Sequence, residues 1–191
     1  MKNTVRILSA LVLTFSLITA VAHAATPATG GKGAFQSDLL AVLGDAEKKV
    51  LSLEEAVPQN KFDWRPAAGV RSIAEAYLHI AFGDYLVIKM ATGKEPPADA
   101  KWEMNPAKWD KQTSDKAEIK RILEKSFAHV HQVIEALPDA DLEKKVNFFG
   151  HDMSVRAVLI GLTGHVNEHL GQSVAYARAN KVTPPWSKTE K

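Results

Sequence analysis

Four long stretches in which apolar residues recur every three or four positions constrain the fold of this chain more than any other feature. Such spacing puts the apolar side chains on one face of a helix, and that face has to be buried against other helices. The stretches cover residues 35–57, 72–92, 114–137 and 154–180. The sequence therefore predicts an all-α four-helix bundle.

The expected helix ends carry recognisable signals. Ser72 followed by Glu75 is a capping box that opens the second helix, and Gly93 closes it. Either Ser114 or Asp115 caps the third helix, and Ser154 caps the fourth.

Two connections between these helices are longer than a simple turn. Residues 93–113 form a link with several prolines and tryptophans, long enough to be a crossover that lets the third helix run beside the second in the same direction. Its aromatic residues are expected to pack over one end of the bundle. Residues 139–152 are expected to be a loop without strand periodicity, with Phe148, Phe149 and Gly150 plugging the bundle end.

The first 24 residues are typical of a secretory signal. Lys2 and Arg6 precede an almost wholly apolar run over residues 7–21, and Ala22-His23-Ala24 offers small residues for cleavage. An uncleaved membrane anchor is the alternative. The expected organisation is a signal peptide at 1–24, a flexible leader at 25–33, the four-helix domain at 34–186 and a tail at 187–191. These features predict an exported protein, periplasmic or secreted, that is not stably inserted in the membrane after cleavage.

Charge and composition narrow the function further. Removing residues 1–24 takes away two basic residues and no acidic ones, which leaves 22 basic and 22 acidic residues. A neutral domain gives no support for nucleic-acid binding. The chain has no cysteine, so any metal must be held by histidine, carboxylate or water.

The histidines are the strongest chemical signal. His165 and His169 are four residues apart on the last helix, so both rings project from one face. His79 lies on the core-facing line of the second helix and can converge with them, although a core histidine bonded to the backbone is the alternative. Three imidazoles with open positions are typical of a catalytic metal site, with zinc as the default ion and nickel, iron, manganese or copper as alternatives.

Other polar residues are weaker candidates. Gln172 and Glu168 could orient a ring or a bound water, and Glu75 or Glu168 could act as a general base, although the capping box explains Glu75 as well. His151 is a spare candidate ligand. His129 and His131 point about 200° apart around one helix and cannot chelate one ion together, so at least one is expected on a solvated face.

Several motifs together resemble the DinB-like family of bacterial four-helix proteins. They are Trp64, Pro66, Gly69 and Ser72 before His79-Ile80-Ala81; Phe148-Phe149-Gly150; and His165, His169, Gly171, Gln172, Tyr176, Arg178, Asn180 and Pro184-Pro185. The resemblance implies a bundle with its long crossover between helices 2 and 3, and a divalent metal held by His79, His165 and His169. Many members have Arg where Leu170 stands here.

The resemblance says less about activity. Some relatives are metal-dependent transferases or isomerases that use a low-molecular-weight thiol, which an exported protein rarely meets. Two functions follow: a metal-dependent hydrolase or transferase acting on an unknown small molecule, or a non-catalytic bundle that binds a metal or small ligand as a module of the cell envelope. The sequence leaves open whether the protein forms a homodimer.

Overall fold

In a computed structural model, which describes residues 33–189, the chain forms four long helices, one short helix and a small hairpin within that range. The helices are α1 (Ala34–Ala56), α2 (Ile73–Thr92), α3 (Pro106–Trp109), α4 (Lys116–Ala136) and α5 (Val155–Ala179). The strands are β1 (Lys145–Phe148) and β2 (His151–Ser154), and 3-10 turns lie at Gln59–Lys61, Ala98–Ala100, Asp139–Asp141 and Pro185–Thr189. The predicted all-α four-helix bundle is confirmed. The predicted signal peptide, nearly all of the predicted leader and the last two residues of the tail lie outside the described residues.

The helix ends follow the capping signals. The Ser72 hydroxyl accepts a hydrogen bond from the Glu75 backbone, and the Glu75 carboxylate accepts one from the Ser72 backbone at 2.8 Å. Gly93 ends α2 with φ of 72°, a left-handed conformation that glycine adopts without strain. Asp115, and not Ser114, caps α4 by accepting from the Glu118 backbone.

The long helices pack with their apolar faces inward. α2 and α5 run antiparallel, because His79 contacts His169 while Gly83, one turn later, lies against His165. α2 and α4 run in the same direction, as the length of the crossover allows, and their carboxyl ends meet at one end of the bundle. All four helices contribute fully buried side chains to the core, including Leu43, Tyr77, Phe127 and Leu159.

The crossover lies along the flank of α2, so the prediction that it packs over one end of the bundle is wrong. The Trp109 indole is buried and donates to the Leu78 carbonyl at 2.9 Å, and its ring meets Tyr85 edge-on. Trp102 packs against Phe82. A tryptophan needs a partner for its N–H when it is buried, and the side of α2 supplies one.

The segment before α5 contains an antiparallel hairpin, and the prediction of a loop without strands is wrong there. β1 and β2 pair from Lys145 with Ser154 to Phe148 with His151. Phe149 and Gly150 form the two-residue turn with φ of 50° and 89°, as in the tight turns that suit β-hairpins. Phe148 packs partly against the core, whereas Phe149 is exposed, so only one of the two aromatic residues covers the bundle. Strands of four residues are too short to show periodicity.

No helix within residues 33–189 combines the length and apolar character needed to cross a bilayer.

Candidate metal centre

Three histidines converge between α2 and α5. His79, His165 and His169 each offer a ring nitrogen, and these nitrogens lie within 4.8 Å of one another. The ring centroids are 5.4 Å apart for His79 and His165, 4.9 Å for His79 and His169, and 4.6 Å for His165 and His169. This spacing allows the three rings to hold one metal ion.

Gly83 makes room for the His165 ring. A Cβ atom at position 83 would lie 2.1 Å from Cε1 of His165 and 2.6 Å from its Nδ1, far inside van der Waals contact. The ring therefore lies directly against the α2 backbone, where only glycine leaves space. Gly83 lies one turn after His79 on the same line of α2, but nothing in the sequence indicates this role.

An aspartate from the crossover orients the His79 ring. The His79 Nδ1 lies 3.0 and 3.2 Å from the two carboxylate oxygens of Asp110. An ionised carboxylate only accepts hydrogen bonds, so Nδ1 carries the proton and Nε2 keeps a free lone pair. Arg71 donates its Nε to the same carboxylate at 2.8 Å, so Asp110 is held by both side chains. Asp110 itself is buried, one residue beyond the Trp109 anchor.

Gln172 plays the same part for His169. The His169 Nδ1 lies 2.9 Å from the Gln172 Oε1, and the Gln172 amide donates to the Tyr176 hydroxyl at 2.9 Å. Because the amide nitrogen is engaged by Tyr176, the amide oxygen faces the ring and accepts its proton. The prediction that Gln172 orients a ring is therefore consistent with the geometry, and Nε2 of His169 is left free as a ligand.

His165 is the most electrostatically perturbed of the three. Burial, followed by the neighbouring rings of His169 and His79, lowers the pKa of His165 to about 3. Burial also lowers the pKa of His169, which the hydrogen bond that His169 donates to Gln172 partly opposes. Both rings are therefore neutral at physiological pH, which is the form that binds a metal.

The His165 Nδ1 is buried and has no hydrogen-bond partner among residues 33–189. A buried nitrogen without a partner costs free energy, so it calls for a group that satisfies it. A metal ion at the three-histidine cluster fits this requirement, as does the donor set of three neutral imidazoles with an oriented outer shell. The residues present therefore suit a divalent transition metal.

The two glutamates proposed as general bases are less suitable. Arg65 holds Glu75 by two hydrogen bonds of 3.0 and 3.1 Å, and the Ser72 backbone adds a third. Although burial opposes the effect, these hydrogen bonds lower the pKa of Glu75. Its role is that of a capping and ion-paired residue, the alternative that the sequence also allowed. Glu168 is exposed.

The other three histidines that the structure describes lie outside the cluster. His151 is exposed on β2. His129 is buried against Tyr85, and His131 is partly exposed and lies 2.8 Å from the Glu47 carboxylate. His129 and His131 have separate surroundings, as their spacing on α4 requires.

Residues 43–173, about two thirds of the chain, match the sequence model of the DinB superfamily. The chain belongs to the DinB superfamily. No curated protein matches the chain.

Solved structures share the DinB fold at low sequence identity. A DinB-like protein from Bacillus cereus has a TM-score of 0.67 and 20% identity, and the match covers 78% of this chain and 95% of that one. A DinB-like protein from Bacillus subtilis has a TM-score of 0.60 and 17% identity over 76% and 93%. A conserved protein from Enterococcus faecalis has a TM-score of 0.63 and 15% identity over 75% and 95%. These likenesses concern the fold alone.

Sequence reasoning missed two residues of this DinB-superfamily site. Asp110 lies in the crossover, 31 residues from His79, where no periodicity relates the two positions. Its only signal is the neighbouring Trp109, a large apolar residue that anchors the crossover to α2. Arg71 lies just before the capping box, and its pairing with Asp110 depends on that same packing.

Proposed function

We propose that this protein is an exported DinB-superfamily protein that binds one divalent transition metal ion, zinc by default, through His79, His165 and His169. We further propose that it uses the ion in a hydrolase or transferase reaction on a small molecule. The observation that carries the proposal is the convergence of three ring nitrogens within 4.8 Å, together with the hydrogen bonds that hold two of the rings through Nδ1.

Each residue has a defined task in this proposal. His79 and His169 bind through Nε2, because Asp110 and Gln172 hold their Nδ1 protons. Gly83 lets His165 approach, and burial keeps His165 neutral. A divalent ion bound there supplies Lewis acidity, which lowers the pKa of a water or substrate heteroatom and makes it a better nucleophile. Three protein ligands leave coordination positions for such a group.

Metal content tests the ligand set. Protein purified without chelator or affinity tag is analysed by elemental mass spectrometry, together with His79→Ala and His165→Ala. We expect about one equivalent of a single transition metal in the wild type and its loss in both variants. His151→Ala is the matched control, since that exposed histidine lies outside the cluster. A wild type that holds no metal and fails to bind zinc, nickel or manganese on titration would refute the proposal.

A non-catalytic metal-binding module is the second candidate. The observation that favours it is the engagement of Glu75 by Arg65 and Ser72, which removes the best-placed candidate for a general base. Reaction of the metal-loaded protein with ester, amide and thiol-acceptor substrates separates the two functions. Turnover that requires the metal and disappears in His165→Ala supports the enzyme, whereas tight metal binding without turnover supports the module.

Export is proposed from the sequence of residues 1–24, and the absence of cysteine is compatible with an oxidising compartment. Expression of the full chain in a Gram-negative host, followed by fractionation and intact-mass measurement, tests it. We expect periplasmic protein whose chain begins at Ala25. Full-length protein in the membrane fraction would indicate the uncleaved anchor instead.

A further inference from the structure

A cleft lies beside the three-histidine cluster, between the segment that precedes α2, the end of α3 and the C-terminal half of α5. Its volume is about 600 Å³, within the range of sites that bind small molecules. Asp110 and Gln172 form part of its wall. These are the residues that hydrogen-bond His79 and His169, so a molecule in the cleft lies one side chain away from the proposed ligands.

Three cationic side chains line this cleft, and the charge of one of them, Arg65, is already paired. Arg65 donates to both carboxylate oxygens of Glu75, at 3.0 and 3.1 Å, and to the Val70 carbonyl at 2.7 Å. Its charge is therefore matched by Glu75. Arg65 acts as a structural residue that fixes the start of α2.

The other two cations retain unused donors. Arg71 gives its Nε to Asp110, and its two terminal nitrogens make no hydrogen bond within the described part of the chain. The Lys111 amine likewise makes no hydrogen bond or ion pair with any residue from 33 to 189, although its charge acts on Glu75. Both carboxylates of the cleft, Glu75 and Asp110, are already paired. The cleft therefore has an excess of positive charge, with donors free to bind an anion.

We propose that this cleft binds an anionic group of the substrate, a carboxylate or a phosphate, with Arg71 and Lys111 as the residues that hold it. The planar end of an arginine matches both anions in two-point contact, and a lysine adds a mobile charge. The assignment of this anion as part of the substrate rests on the proposed metal-dependent reaction. A divalent ion on three neutral imidazoles raises the local positive potential and favours the same anion.

Lys111→Gln is the informative variant, because the Lys111 amine supports no residue between 33 and 189 by a hydrogen bond, whereas the Arg71 side chain also holds Asp110. Lys48→Gln, an exposed lysine on α1, makes the same change of charge away from the cleft. Calorimetric titrations use succinate, inorganic phosphate and the neutral succinamide as probes. Each probe is titrated into metal-free and cobalt-loaded protein.

We expect succinate or phosphate to bind and succinamide not to bind. Lys111→Gln should weaken anion binding by on the order of tenfold, as loss of one charge-assisted hydrogen bond does, and Lys48→Gln should leave it unchanged. The visible spectrum of cobalt reports separately whether the ion occupies the cluster. If no cobalt binds, the proposed function fails, while the metal-free titrations still test the anion site.

Two results would overturn the anion site whatever the metal does. One is equal binding of succinate and succinamide. The other is anion binding that is absent from the metal-free protein and, in the loaded protein, insensitive to Lys111→Gln, since the anion would then contact only the metal. A Lys111-dependent preference for the anion in either form of the protein supports the site.

Discussion

Gly83→Ala tests whether metal binding needs the close approach of the His165 ring to the α2 backbone. The new methyl group would lie 2.1 Å from the His165 ring. Unbonded carbon atoms settle at about 3.5 to 4.0 Å, so the ring must retreat by about 1.4 Å or more. Distances from a metal to its ligands tolerate only about 0.2 Å. We therefore expect the variant to lose His165 as a ligand even though no histidine has been changed.

The magnitude follows from the linkage between binding and unfolding. A ligand present at 100 times its Kd stabilises the folded state by about 2.7 kcal/mol, which is about 5 to 11 °C in Tm for a domain of this size. An outer-shell change costs about 10- to 100-fold in metal affinity, and displacement of a ligand should cost at least the upper value. The same metal concentration then stabilises the folded variant by only about 0.4 kcal/mol, which raises its Tm by about 1 °C.

Thermal unfolding with and without metal measures both effects. Without metal, the His165 ring can rotate away from the methyl group, and alanine favours the helix by about 0.5 to 1 kcal/mol, so the variant should stay within about 1 kcal/mol of the wild type. Gly161→Ala is the matched control on α5, because a Cβ there meets nothing within 4 Å. It should keep the full metal-induced shift. A Gly83→Ala protein that shows the wild-type shift would refute the placement of His165.

Three further outcomes follow from single side chains. Asp110→Asn should weaken metal binding by about 10- to 100-fold in competition titrations, since the His79 proton loses its charged acceptor; unchanged affinity would contradict that role. Glu75→Gln should lower the unfolding free energy by about 1 to 2 kcal/mol in urea while leaving metal affinity intact, because its partners are a helix cap and an ion pair. Burial raises the pKa of Asp84 from 3.8 to about 7 although Ser126 donates to it. The folded state then keeps a proton that the unfolded chain releases between pH 4 and 7, so stability is lost as pH rises through that window. Asp84→Asn removes this loss, and its stability relative to the wild type should rise by on the order of 2 kcal/mol between pH 5 and pH 8 in urea unfolding; a constant difference would refute the shift.

The sequence predicted the helices well because their signals are local. A capping box, a terminal glycine and apolar spacing each act within a few residues, and the ends at Ser72, Gly93 and Ser154 are where these signals lie. The hairpin before α5 was not predicted, because its strands have four residues each and its turn depends on Phe149 adopting a positive φ. A non-glycine residue in that conformation leaves no sequence signal.

The site was predictable only where its residues share a helix face. The spacing of His165 and His169 predicts that both rings lie on one helix face, and Gln172 follows on the same line. Asp110 and Arg71 come from segments outside the long helices and meet His79 only after Trp109 has fixed the crossover against α2. The sequence does not distinguish Gly83 from any other small core residue. Its importance depends on the His165 ring, which packs against it only in the folded bundle.

The site depends on the fold, but the fold does not depend on the site. The core consists of apolar side chains from all four long helices, and it is complete without the three histidines. Unlike small domains that fold only around a metal, this bundle can therefore place its ligands before any ion arrives. Three imidazole ligands carry no negative charge to neutralise a dication, and the two buried carboxylates of the adjoining cleft, Asp110 and Glu75, already pair with Arg71 and Arg65. If an ion binds here, these residues would leave its positive charge uncompensated and Arg71 and Lys111 would add to it, so we expect an anionic ligand to balance the charge.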